Sequence, residues 1–345
     1  EVMGYAWLNQ FLTGNHAAAT GNNTTHSIYT TMVLTPENEY LLAYDGWQTM
    51  EDPVTPGTTL IFMENKMNEL FYQKSNSQDY TLSFDGGNDR GTYYLGLGFL
   101  DDNGLVIGSA FKRVSGTFNA SYKLTDALKV SSNIFYAHSN RDLPYDSDYN
   151  LFQRTAGLAP TSRIYNNNPD GSLSNEYQPG TYLGFGNPLY YYDKFVNYNL
   201  EQRLSGSVQF DYTFLNDFTF TLRGSHFSVN NSNESFTKAY LNSGSLITSR
   251  NSSASLARTL RHQLTGLLNY KKSFAGLHNV NALLGAEYFM EKAFNMSAGT
   301  RLSPTDLIYT MNVGSEASGV PYSFRTGYEI DRKSTRLNSS HLGIS

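Results

Sequence analysis

The residue types that could do chemistry here are histidines, carboxylates and a run of tyrosines, and spacing decides among them. His226, His262 and His278 stand apart in three separate stretches. No H-E-x-x-H, paired-histidine or G-x-S-x-G pattern accompanies them, so neither a zinc protease site nor a serine nucleophile turn is written here. The absence of cysteine excludes a thiolate metal site and a disulfide framework. Asn166, Asn168, Asp170 and Gly171 give N-x-N-x-D-G, similar to the start of a calcium loop. That set has a single carboxylate in its first three ligand positions, and Tyr177 stands where a bidentate Glu belongs, so it reads as a turn. Asp142, Asp146 and Asp148 read as a solvated loop. The expectation is no enzyme, no metal and no cofactor. What remains is aromatic: Tyr177, Tyr182, Phe185, Tyr190, Tyr191 and Tyr192, in or beside a Gly- and Pro-containing loop. Exposed, these rings would stack on sugar faces or anchor a partner protein as rigid contact surface. Tyr190 to Tyr192, just ahead of a strand, equally suit an aromatic belt at a lipid interface.

The elements that would carry such residues are long strands. From Ser109 to Ser139 the chain alternates with a period of two on both sides of a short turn, T-D-A-L. Val114, Gly116, Phe118, Ala120, Tyr122 and Leu124 share one parity, against Ser115, Thr117, Asn119, Ser121 and Lys123. Soluble strands usually run about 5–6 residues; strands that cross a bilayer at a tilt need about 9–11. The same design returns twice. Leu204 to Phe214 leads through L-N-D-F to Phe218, Phe220 and Leu222, and Leu260 to Tyr270 leads to Val280 through Tyr288. Tyr80, Leu82 and Phe84, then Tyr93 to Phe99, form an earlier pair around D-G-G-N-D-R.

Connections sort by length. Tight links follow Phe84, Leu124, Phe214 and Tyr270, and longer ones follow Phe99, Ser139, Val229 and Lys292. That alternation belongs to an outer-membrane barrel with short periplasmic turns and long external loops. A soluble sandwich has no reason to sort its links this way. The totals agree. Mean hydropathy is −0.43 and no run of 18 apolar residues exists, which excludes a helical membrane protein and leaves a barrel open, because alternating strands average out. Net charge of −5 and a pI near 5.8 argue against a nucleic-acid partner.

The fold class expected is therefore all-β, an antiparallel transmembrane β-barrel fragment. Residues 1–76 form an irregular leading segment with a short helix near 61–74, where Met63, Met67, Leu70 and Phe71 recur at helical spacing. Residues 77–330 hold the barrel strands and loops, with irregular insertions at about 140–199 and 230–257. The tail 331–345 breaks the alternation, resembles translated adaptor or vector sequence, and is set apart from the fold. Glu1 is not a start methionine, so the chain reads as a piece of a longer protein.

Two stretches carry a family resemblance: ENKMNELFYQKSNSQDYTLSFDGGNDRGTYYLGLGFLDDNGLV and FKRVSGTFNASYKLTDALKVSSNIFYAHS. NPLYYYDK and HNVNALLGAEYF add to it. Together they resemble the SusC/RagA-type family of TonB-linked outer-membrane transporters, over about residues 60–295. The resemblance implies a 22-stranded barrel in the bacterial outer membrane, with an N-terminal plug driven by TonB. It also implies import of glycans or oligopeptides beneath a SusD-like surface lipoprotein. The plug, the TonB-contacting box and the closing aromatic strand of that family are not seen in this sequence, so the expectation is for the barrel portion.

In such a barrel Arg203, Gln209, Asp211, Gln263, Asn269 and Lys271 line the lumen as a polar wall that solvates the interior and grazes substrate. Two other readings stand beside the importer. One is a passive porin or structural surface barrel; the other is a soluble β-rich carbohydrate-binding protein.

Overall fold

The computed structural model describes residues 30–52, 55–142, 161–168, 172–179, 187–242, 244–274, 278–311, 316–317 and 323–339. In chain order a small sheet comes first: β1 (Met32–Val33), β2 (Trp47–Glu51) and β3 (Thr59–Met63), paired in the order β1-β3-β2, with a 3-10 turn at Glu39–Ala43. Helix α1 (Met67–Phe71) follows. Then come β4 (Asn76–Gly87), β5 (Gly91–Asn103), β6 (Ala110–Lys123) and β7 (Leu128–Asp142). A hairpin of β8 (Tyr165–Asn167) and β9 (Leu173–Tyr177) leads to helix α2 (Pro188–Lys194). The long pair β10 (Phe195–Phe214) and β11 (Phe218–Thr237) is followed by a short hairpin, β12 (Tyr240–Asn242) and β13 (Ser245–Ile247). Last are β14 (Ser252–Phe274), β15 (His278–Arg301), β16 (Glu316–Ala317) and β17 (Ser323–Ser339).

The large sheet is antiparallel throughout and runs β4-β5-β6-β7-β10-β11-β14-β15, with β16 and β17 both on the far side of β15. Sequence neighbours pair in space, as in an up-and-down barrel wall. Its two faces follow parity. One face carries Phe118, Ile134, Val208, Phe210, Tyr212, Phe220 and Leu264, all exposed. Large apolar side chains open to the outside in a row on a sheet need hydrocarbon against them. The other face carries mostly hydroxyls, amides and charges, with Phe111, Phe135, Phe227 and Phe289 among them. No helix among the described residues is long and apolar enough to cross a membrane.

Three expectations need correction. The apolar run TLIFM is the strand β3, and the helix begins only at Met67. Leu60 and Ile61 are wholly buried between β1 and β2, so sheet pairing of a short apolar run overrides helical spacing. The strands are also longer than alternation showed: β14 and β15 have 23 and 24 residues, β14 reaches back into the 230–257 insertion, and β7 and β10 reach into the 140–199 insertion. Beyond the hydrocarbon band both faces meet water, so alternation fades while the ladder of backbone bonds continues. The pairing of β17 with β15 runs through Ser339 and takes in residues 331–339, which the sequence reading set apart.

The short links lie between β4 and β5, β6 and β7, β10 and β11, and β14 and β15. The described parts of the long ones lie at the opposite end, and there they pack together into a crown. Thr30 N–H donates to the Thr161 carbonyl at 2.8 Å, and Asn65 Nδ2 donates to the Ser162 carbonyl at 2.6 Å. Phe71, Ile164 and Leu189 form one buried core there, joined by Val106, Ile107, Tyr165 and Tyr177.

Candidate functional site

The crown is held by the sequence NPLYYYDK. Asn187 caps α2 by accepting from Leu189 N–H at 3.1 Å, and Pro188 fits the first turn because it has no N–H to leave unpaired. The same Asn187 amide donates to the Ile164 and Gln178 carbonyls at 2.8 and 2.9 Å, so one side chain ties helix to hairpin. Tyr190 and Tyr191 then hold both backbone groups of one residue of β12. The Leu241 N–H donates to the Tyr190 hydroxyl at 2.8 Å, and the Tyr191 hydroxyl donates to the Leu241 carbonyl at 3.0 Å. Tyr192 lies against Gly108, whose φ of +74° and lack of a Cβ admit the ring. Tyr177 stacks on Tyr165 with centroids 5.2 Å apart.

Charge closes the crown. Burial pushes the Asp193 carboxyl up, but hydrogen bonds from Lys194 and Lys238 at 3.1 and 3.2 Å outweigh it and hold the group below the usual carboxylate range. Asp306 behaves alike. Burial raises it, and the Ala239 N–H and Arg250 guanidinium, both at 2.8 Å, bring it lower. Burial, followed by the nearby carboxylates Asp142 and Asp193, raises the Tyr192 phenol, so it stays protonated.

Tyr177 and Tyr190 to Tyr192 thus come together in the crown, on a hairpin and a helix. Tyr191 is 7% exposed. Tyr182 and Phe185 lie outside the described residues, as do Asp146, Asp148, Asp170 and Gly171. Asn168 donates to the Ser172 hydroxyl at 2.9 Å across the β8–β9 turn.

Below the crown, register places Arg203, Gln209, Asp211, Gln263, Asn269 and Lys271 on the polar face. Gln209 donates to both Asp211 oxygens at 2.9 Å, Thr221 donates to Asp211 at 2.7 Å, and Arg223 donates to Gln209 at 2.7 Å. Gln263 donates to Glu287 at 2.9 Å, and Arg203 pairs with Glu201 at 3.1 Å. The Asn269 Oδ1 is buried with no partner among the described residues.

Sequence reasoning missed two recesses on this face. A groove of about 490 Å³ at the crown end of the wall is lined by Arg113, Arg141, Arg203, Glu201, Asn199, Asn231, Asn233, Phe111 and Phe135. Parity alone put Arg203 on this face. Only cross-strand register brings Arg113 and Arg141 beside it, through Arg113↔Ser139↔Glu201 and Arg141↔Asn199. Next along the strands is a second recess of about 370 Å³, floored by Ser205, Ser207 and Ser225 and walled by Phe227, Phe289, Asn133, Gln263 and Arg261, whose guanidinium lies over the Phe227 ring. His226 and His262 meet on the apolar face instead, with Nδ1 atoms 3.4 Å apart.

A sheet with hydrocarbon-facing rings on one side, a hydrogen-bonded polar face on the other, and all long links at one end is the wall of an outer-membrane β-barrel. Within that class, the chain has the fold of a stretch of barrel from a SusC/RagA-type TonB-dependent receptor. It is similar to the RagAB peptide importer in the closed-closed state, with a TM-score of 0.67 and 17% identity, over 95% of this chain and 34% of that one. The open-open state gives a TM-score of 0.66 and 18% identity, over 94% and 36%. In sequence the chain is 26% identical over 271 residues to TonB-dependent receptor P3 of Formosa agariphila, which is 76% of this chain and 26% of that protein. The chain therefore spans about a quarter of that relative and about a third of the matched RagAB chains. No protein-family model matches.

Proposed function

We propose that the chain is part of the barrel of an energised outer-membrane importer, which captures an oligopeptide or glycan at the crown and passes it along the polar wall. The single observation that supports this most is the wall's division of faces, joined to a crown whose links are packed into one body. A passive porin needs the first of these and has no need of the second. The relative in sequence is a TonB-dependent receptor, and the RagAB structures that the chain resembles are of a peptide importer. On this reading a SusD-like surface lipoprotein covers the crown, TonB acts through regions outside this chain, and the exposed parts of the loop aromatics meet cargo or lid. The protein is a transporter and not an enzyme.

The test is uptake by cells carrying the intact receptor. Uptake of a labelled oligopeptide or oligosaccharide should stop on addition of a protonophore, and a surface lipoprotein should co-purify in mild detergent. Uptake that continues undiminished without a proton gradient would point to the porin.

A further inference from the structure

Among the features outside the crown, the arginine groove is the one whose chemistry is specific. Arg113, Arg141 and Arg203 stand on three successive rows of the polar face, with Glu201 the one carboxylate in the lining. The formal balance of that lining is three cations against one anion, +2, in a chain whose total is −5. Arg203 already holds Glu201. The Arg113 and Arg141 guanidiniums face the groove without a carboxylate partner among the described residues, and both side chains are exposed. A guanidinium presents a planar fork of donors that matches a carboxylate. Asn199, Asn231 and Asn233 add amides that both donate and accept.

The spacing favours one kind of solute. Rows on a strand face repeat every two residues, about 6.6 Å. An extended peptide lying along the wall places its own alternate side chains at the same interval. One step beyond the Arg203 row come Phe135, Ser205 and Phe227, of which Ser205 and Phe227 line the serine-floored recess. A carboxylate at the arginines and an apolar side chain in the recess, two residues away, would be read together.

We propose that this groove selects acidic oligopeptides, with Arg113, Arg141 and Arg203 binding cargo carboxylates while Phe227 and Phe289 receive the apolar side chain beside them. This rests on the importer reading and narrows its cargo.

The experiment uses the intact receptor in liposomes or outer-membrane vesicles. Three hexapeptides with Glu, Gln or Lys at positions 1 and 3, Phe at position 5 and Ser elsewhere, so that charge and ring share one face of the extended chain, are titrated at low and at physiological salt. The acidic peptide should bind at least ten-fold more tightly than the neutral one, the basic one least, with the gap shrinking as salt rises. In the R113Q/R141Q double variant the acidic-to-neutral ratio should fall towards one, and R113K/R141K should restore part of it. Heat-modifiable gel mobility checks that each variant barrel is folded, and the wild-type charge series stands without any variant. Equal binding of the three peptides overturns the proposal. So does an unchanged ratio in a folded double variant, or binding of oligogalacturonate with no binding of any peptide. In cells carrying the receptor, energy-dependent uptake that ignores charge would sink the groove's role and leave the importer standing; uptake of every solute there without energy dependence sinks the importer reading itself.

Discussion

The crown and the wall bury opposite things. In the crown Met32, Leu41, Leu60, Ile61, Phe71, Ile164 and Leu189 are each 3% exposed or less, as in the core of a water-soluble domain. In the wall Leu82, Val114, Phe118, Tyr122 and Tyr212 stand more than 40% exposed, and the apolar side chains gain cover only from lipid. The difference teaches that one chain solves two solvent problems. Above the membrane, water drives links distant in sequence to fold onto each other. Within it, closing the backbone ladder is what matters, because hydrocarbon offers no partner to an unpaired N–H or carbonyl.

Substitutions in each region sharpen that contrast. The largest effect is expected for Phe71→Ala, which empties the middle of the crown core and should cost about 3–5 kcal/mol locally. Faster hydrogen exchange and protease cutting should appear in the crown links, while the heat-modifiable gel mobility of the barrel stays as it was. Barrel mobility lost together with the crown would show that the two regions are one cooperative unit.

Next is Val208→Arg on the apolar face, expected to cost about 2–4 kcal/mol near the middle of the bilayer. Ser207→Arg, one residue earlier and on the polar face, should change stability by no more than about 0.5 kcal/mol. Denaturant titration of the two variants in the same lipid compares them directly, and equal costs would contradict the assignment of faces.

A smaller loss, about 1 kcal/mol, is expected for Tyr191→Phe, which removes the hydroxyl that the Leu241 carbonyl accepts from. Exchange at the β12–β13 hairpin should rise, with little change in β10 or β11.

The smallest effect is pH-dependent. Asp193 and Asp306 both sit below their ordinary value in the folded crown. The stability they contribute is therefore fully present above the unfolded value of about 3.9, and is lost as pH falls through the lowered folded values. Amide exchange at Lys238 and Ala239 should speed up over that acid range, and Asp306→Asn should flatten the response. A response that instead appeared near neutral pH would assign the switch to other groups.

Much of the wall was legible because its signal is local. Phe118 and Val208 face lipid by parity alone, and so do Gln209 and Asp211 face the other way. The two wall histidines show the limit of that reading. Nothing in the spacing of His226 and His262 says that they touch, yet the β11–β14 register sets them opposite each other. The crown was less legible still. Tyr190 to Tyr192 were open to several uses, and it took the position of Leu241, about 50 residues on, to show two of the hydroxyls engaged.

By itself the sequence determined that long two-faced strands form, which way each side chain points, and where the short turns fall. A period of two is a property of neighbours along the chain, and it survives without any knowledge of partners. Only the tertiary structure decided where the ladders end, how the links build a crown, and that three arginines from separate strands share one groove. Those depend on register between segments far apart in the chain, and register is settled by the pairing of whole strands.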